Sequence, residues 1–154
     1  MKAKVYFMRE ITPENVVRLY HALGVSLPGR VAVKVHTGEK GNQNFLRPEF
    51  WRPMVEEVHG TVVECNTAYG DATGGVPDAG FPIPNGKILK ENRVGRHLLN
   101  YDSMLVLAHF KGHPMGGYGG ALKQLAIGCA SRAGKALIHS AGKTDDRYKT
   151  WEQH

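Results

Sequence analysis

The stretch RVAVKVHTGEKGNQNFLRPEFWRPMVEEVHGTVVEC, residues 30–65, decides how this chain is to be read. It opens on RVAVKVH (30–36), a strand in which a single Lys34 stands between apolar neighbours. It closes on the head of another strand, TVVECNTAYG (61–70), which runs into a loop. Between them RPEFWRPMVEEVHG supplies a helix over its later part, with Pro53 restricting where that helix begins. Upstream, KVYFM (4–8) is β-branched and aromatic and predicts a first strand. TPENVVRLYHALG then predicts a helix. Thr12 suits the N-cap, Pro13 the first turn, and Val16, Leu19, Tyr20 and Leu23 form an apolar stripe that Gly24 ends. Strand, helix, strand, helix, strand is the pattern of a parallel sheet covered by helices.

Downstream the pattern loosens. GDATGGVPDAGFPIPNG (70–86) has neither period and predicts a long connection. KILKENRVGRHLLNYD predicts a short strand and a turn, and the continuous apolar run of SMLVLAHF (103–110) a buried strand. GGALKQLAIGCASRAGK (119–135) predicts one helix on the spacing of Leu122, Leu125, Ala126 and Cys129, with Gly134 as its C-terminal stop and Lys135 beside it. ALIHSAG follows as a last strand. The fold class expected is α/β, a mostly parallel, Rossmann-like sheet with helices on both faces, in one domain over residues 1–154.

Composition narrows the partners. Hydrophobic residues at 42% and charged residues at 22% are ordinary for a soluble globule, so disorder is not the default. No run approaches the roughly 20 apolar residues of a membrane span, and MKAKVYFMRE is not a signal peptide. Cys65 and Cys129 lie in apolar segments and read as small buried hydrophobes, too few to hold a four-cysteine cluster alone. A cytoplasmic setting follows. The formal charge of +6 favours anionic partners. Its cations form no single run, which disfavours nucleic acid and leaves a small phosphate- or carboxylate-bearing ligand. A short sheet also leaves an edge on which a second copy could pair, as in a homodimer.

Ligands of open α/β sheets bind where strands deliver their carboxyl ends. His36 leaves the strand at 30–36, and Glu64, Asn66 and Tyr69 leave the next. His109, Lys111 and His113 follow MLVLA, and His139 and Ser140 would leave the last strand. The glycines at 116, 117, 119 and 120 let the backbone approach a ligand and enter a helix, with Lys123 one turn in. GGYGGALK lacks the ending of a Walker A loop. Arg47, held extended before Pro48, offers a guanidinium fork to a phosphate or carboxylate, or else pairs with Glu49 on the surface. Lys34 reads as a side chain snorkelling outward, in preference to one reaching the sheet edge, and His21, His59, His97 and His154 read as surface residues. His36, His109, His113, Lys123 and His139 are the expected walls of a ligand or metal-cofactor site, with His36 and His139 its metal-ligating candidates.

The segments VAVKVHTGEKGNQNFLRPEF, VECNTAYG and LKENRVGRHLLNYDSMLVLAHFKGHPMGGYGGALKQLAIGCASRAGKALIHSAGKT resemble a bacterial and archaeal family catalogued as domain of unknown function 362. Its members are often called iron–sulfur centre or ferredoxin-like proteins. They run longer and carry cysteine-rich sequence, sometimes a 4Fe–4S module, beyond the matching part. The resemblance implies that this chain is an N-terminal half, and its iron–sulfur label does not extend to Cys65 and Cys129. A more distant similarity, to nickel-pincer lactate racemases, implies roles by motif position. Lys123 would attach the cofactor, Gly119 and Gly120 would border it, and Arg47 would hold its phosphate. His139 would ligate nickel, and His109 or His113 would move the substrate proton. Two functions follow. One is racemase- or isomerase-like proton transfer on a small carboxylate; the other is a non-catalytic binding or electron-transfer module of an iron–sulfur protein.

Overall fold

The computed structural model describes residues 4–38, 41, 43–65, 78–114, 116–146 and 148–149. Three strands, β1 (Val31–Lys34), β2 (Thr61–Val63) and β5 (Ser103–Val106), form a wholly parallel sheet in the order β2-β1-β5. Ala32 pairs with Thr61 on one side and Met104 on the other, so β1 is central. Its alternation then determines which side chains meet which layer. Val31, Val33 and Val35 form one buried core with Met54 and Val58. Val16, Val17 and Tyr20 of α1 (Pro13–Leu23) and Trp51 and Val55 of α2 (Pro48–Glu57) close over it. Ala32 and Lys34 take the opposite face and are equally buried, which requires cover on both sides of β1. The fold is the expected mixed α/β class, with a three-stranded parallel sheet flanked by helices.

α1 forms as its sequence dictates. Thr12 Oγ1 accepts from the Asn15 N–H at 3.2 Å, Pro13 opens the first turn, and Gly24 ends it at φ 62° while donating to His21 O. α2 begins at Pro48, earlier than Pro53 suggested. Pro53 lacks only the N–H that would reach the Glu49 carbonyl, in the exposed first turn.

Several expected elements are corrected. Residues 4–8 form no strand: β1 already has a neighbour along each edge, and Val5 and Phe7 stay exposed. Part of the connection at 70–86 is a strand, β3 (Asp78–Pro82), paired antiparallel with β4 (Glu91–Gly95). Residues 66–77 lie outside the described residues. A short 3-10 helix (Arg96–Asn100) follows β4. After β5 the chain makes a two-stranded hairpin of β6 (Lys111–His113) and β7 (Gly117–Gly119).

The single helix expected over 119–135 is two helices, α3 (Ala121–Ala126) and α4 (Arg132–His139). Between them Ala130 bridges to Val94, and Ser131 starts α4 by accepting from the Gly134 N–H at 3.0 Å. Gly134 and Lys135 therefore lie inside a helix rather than at its end. The expected last strand, ALIHSAG, is mostly the second half of α4.

Candidate functional site

Because β2, β1 and β5 run the same way, their carboxyl ends share one edge of the sheet. Backbone bonds hold the exits together past the strands: Val35 donates to Val63 O at 3.4 Å and Leu107 to Lys34 O at 2.9 Å. The edge therefore receives Lys34 and His36 from β1, Glu64 and Cys65 from β2, and His109 from β5.

Glu64 organises the first of these groups. Its Oε1 accepts from Lys34 Nζ at 2.5 Å and from the Cys65 N–H at 3.0 Å. Oε2 accepts from the Thr37 N–H at 3.0 Å and stands 3.5 Å from His36 Nδ1. Burial alone would raise its pKa, but His36, Lys34 and the Thr37 amide outweigh it and hold the carboxyl below its ordinary value. Lys34 is 1% exposed and reaches Glu64 at the sheet edge, so the favoured outward reading is corrected to its alternative. The VAVKV strand is covered on both faces, and the carboxylate that follows β2 compensates the buried side chain.

The second group is cationic. His109 Nδ1 is buried and has no hydrogen-bond partner among the described residues. Burial, then Lys111 and then His36, push its pKa down. In the hairpin beyond, His113 Nδ1 accepts from the Gly116 N–H at 3.0 Å. Its pKa is also lowered, by burial and by Lys123 and Lys111. Gly119, paired with Lys111, lies between the two lysines: a Cβ built there would stand 3.7 Å from Lys111 Cγ and 3.8 Å from Lys123 Cδ. His36, His109, Lys111, His113 and Lys123 thus form a chain of neighbours, two of whose imidazoles favour the neutral form. Gly120 precedes α3 with extended backbone, and of this glycine run only Gly117 takes a positive φ, 73°. α3 has six residues and presents no anion site of its own at its N-terminus.

Two expected members are placed differently. Arg47 caps α2 with its backbone and donates from Nη2 to Gln43 O at 3.1 Å and Gln43 Oε1 at 3.0 Å. Its guanidinium lies 4.4 Å from the Phe45 ring centroid, so neither Glu49 nor the His109 group engages it. His139 rides on the last turn of α4, a helix packed on β4, and the strand-exit argument for it fails. Asn66 and Tyr69 lie outside the described residues. Of the histidines read as surface residues, His21 pairs with Glu57 at 3.0 Å and His97 and His59 are exposed; His154 is outside the described residues.

The expectations passed over the face of β1 opposite its valines. There Lys34 and Glu64 neighbour Cys65, Cys129 and Lys135, five groups coupled through their charges. Lys135 is 5% exposed and donates to Ala130 O at 2.5 Å, with no carboxylate within salt-bridge distance among the described residues. Burial lowers its pKa. A cavity of about 180 Å³ adjoins this group, walled by Val63, Leu98 and Tyr101 and by the polar Glu64, Ser131 and Arg132. The only sequence signal was Lys34 itself, a cation in the middle of a strand with β-branched neighbours.

Residues 71–153, more than half of the chain, match the family described as Domain of unknown function (DUF362). The chain belongs to the DUF362 family. The match takes in β3, β4, β5, the β6–β7 hairpin, α3 and α4, and so the segment carrying His109, His113 and Lys123. Comparison with curated proteins and with solved structures returns no match. In this DUF362 chain, no group of three or more His, Cys, Asp or Glu side chains among the described residues is arranged to hold a metal ion. No helix among the described residues is long and apolar enough to cross a membrane.

Proposed function

We propose that this DUF362 chain binds a small carboxylate at the carboxyl edge of the β2-β1-β5 sheet and exchanges a proton at a carbon that an adjacent carbonyl or carboxyl group makes acidic. The observation that carries this reading is the buried Nδ1 of His109, without a partner among the described residues and in a cationic surrounding. A buried polar atom without a partner is costly, and a ligand that supplies one removes that cost. Lys111 and Lys123 are placed to attract the carboxylate and to stabilise the charge that develops on it. An imidazole held neutral by its neighbours can accept the proton, and the electron pair left on carbon spreads into the adjoining carbonyl. The imidazolium that forms on His109 exchanges its proton with solvent and returns one to the carbon, which restores the neutral base.

Deuterium exchange tests this. Pyruvate and lactate are incubated with the full chain in deuterated buffer, and loss of their carbon-bound proton signals is followed by NMR. Exchange above the buffer rate, abolished in His109→Gln, is expected for at least one of them. Buffer-level rates for both, together with no shift of the His109 ring resonances on adding either acid, would overturn the reading.

A further inference from the structure

Cys65 and Cys129 are far apart in sequence, and the fold brings both against one residue that has no side chain to separate them. Cys129 O accepts from the Gly95 N–H at 3.2 Å, while a Cβ built on Gly95 would stand 3.6 Å from Cys65 Sγ. Ala130, next in the chain, bridges antiparallel to Val94, which fixes Cys129 beside the end of β4. Both thiols are free. Cys65 is half-buried and lines the cavity of about 180 Å³, whereas Cys129 is buried and does not line it. One thiol thus faces a space that a small molecule can enter, and the second is held in reserve. That is the arrangement of an attacking and a resolving cysteine.

We propose that Cys65 and Cys129 are a dithiol pair that closes reversibly to a disulfide on reaction with a low-molecular-weight disulfide. In the first step Cys65 Sγ bonds to one sulfur of the reagent, the reagent's own S–S bond breaks, and one thiol departs with the Cys65 proton. In the second, Cys129 Sγ bonds to Cys65 Sγ and expels the other half of the reagent as a second thiol, which takes the Cys129 proton. The two cysteines are oxidised and the small disulfide is reduced to two thiols. A disulfide needs Cα atoms within about 7 Å, a separation compatible with two cysteines on either side of one glycine. Burial raises both thiols above their ordinary pKa, with Lys34 and Lys135 pulling the other way, so little thiolate is present and exchange is slow. Closure would tie the exit of β2 to the start of α4. It would also displace the Cys65 amide that now donates to Glu64 Oε1, the carboxylate that steadies His36.

The test is independent of any substrate. The full chain in native buffer is exposed to excess glutathione disulfide, blocked with N-ethylmaleimide, digested without reductant and analysed by mass spectrometry. A peptide joining Cys65 to Cys129 is expected, with an intact mass lower by two hydrogens, and dithiothreitol should restore both thiols. Cys65→Ser should leave Cys129 unmodified and reduced. The proposal is overturned if the wild-type chain stops at a glutathione adduct on Cys65, keeps both thiols open to alkylation after reduction of bound glutathione is excluded, or links only between chains. Closure that occurs solely in added urea counts against it equally, because the bond would then form in the unfolded chain.

Discussion

Lys34 and Lys135 show what a buried ammonium needs. Both are almost wholly enclosed, but Lys34 reaches Glu64 at 2.5 Å, while among the described residues Lys135 has only the Ala130 carbonyl. Lys34→Met leaves Glu64 without its cation and the Val35 carbonyl without a donor, and is expected to cost about 3 kcal/mol in urea denaturation. Lys135→Met removes a cation that has no ion-pair partner among the described residues. It should leave stability unchanged or raise it, and a large loss would show that the ammonium is better compensated than its geometry indicates. Protons test the same edge. Glu64 and His109 both have folded pKa values below their ordinary 4.5 and 6.5. The unfolded chain therefore takes up protons at a higher pH than the folded chain, and stability falls as pH drops. The fall should begin just below the ordinary imidazole value and resume below the ordinary carboxylate value. His109→Gln is expected to lessen the first limb, to which His113 also contributes, and to leave the second, as read from urea midpoints across the acid range. At this edge His36, His109 and His113 were legible as polar residues after apolar runs, and Lys123 as a cation one turn beyond a glycine run. Glu64 was legible only as a strand exit, and Lys135 not at all, because its burial depends on packing between segments distant in sequence.

At the scale of elements, whatever local chemistry decides was readable. α1 carries its own cap, its own first-turn proline and its own stop, and it forms as written. β1, β2 and β5 are apolar enough to need a sheet from any starting point. The segment 119–135 was misread because helical spacing at Leu122, Leu125, Ala126 and Cys129 continues through a place where the chain must turn. Two tertiary demands override it: the bridge of Ala130 to Val94 and the close approach of α4 to β4 at Gly134. A Cβ at Gly134 would run into the Arg93 carbonyl oxygen, a backbone atom that cannot swing aside. Gly134→Ala, which in an isolated helix would stabilise, is therefore expected to lower stability by about 3 kcal/mol. Gly112→Ala serves as the control. A Cβ there meets nothing within 4 Å, and the change should stay within about 0.5 kcal/mol. Equal thermal shifts for the two variants would mean that α4 does not sit against β4 as described.

For the whole molecule, β1 divides two unlike layers. The valine face with α1 and α2 is a conventional apolar core, and the Lys34 face is a charged and thiol-bearing layer backed by the segment around α4. Such a division concentrates stability on one side and leaves the proposed dithiol chemistry to the other. It also explains why KVYFM misled. Those residues have strand chemistry, but the two edges of β1 are taken by β2 and β5, so Val5 and Phe7 remain 88% and 84% exposed. Strand propensity says that a segment fits a pleated, half-buried surface, not that a place is open for it. Substitutions at the two locations should separate sharply. Met54→Ala empties a site that is 1% exposed and should cost about 3 kcal/mol. Phe7→Ser removes an equally apolar side chain from solvent and should change stability by no more than about 0.5 kcal/mol. Guanidinium titrations of both variants decide the matter. A Phe7→Ser loss as large as that of Met54→Ala would place residues 4–8 inside a packed layer and require a different strand order around β1.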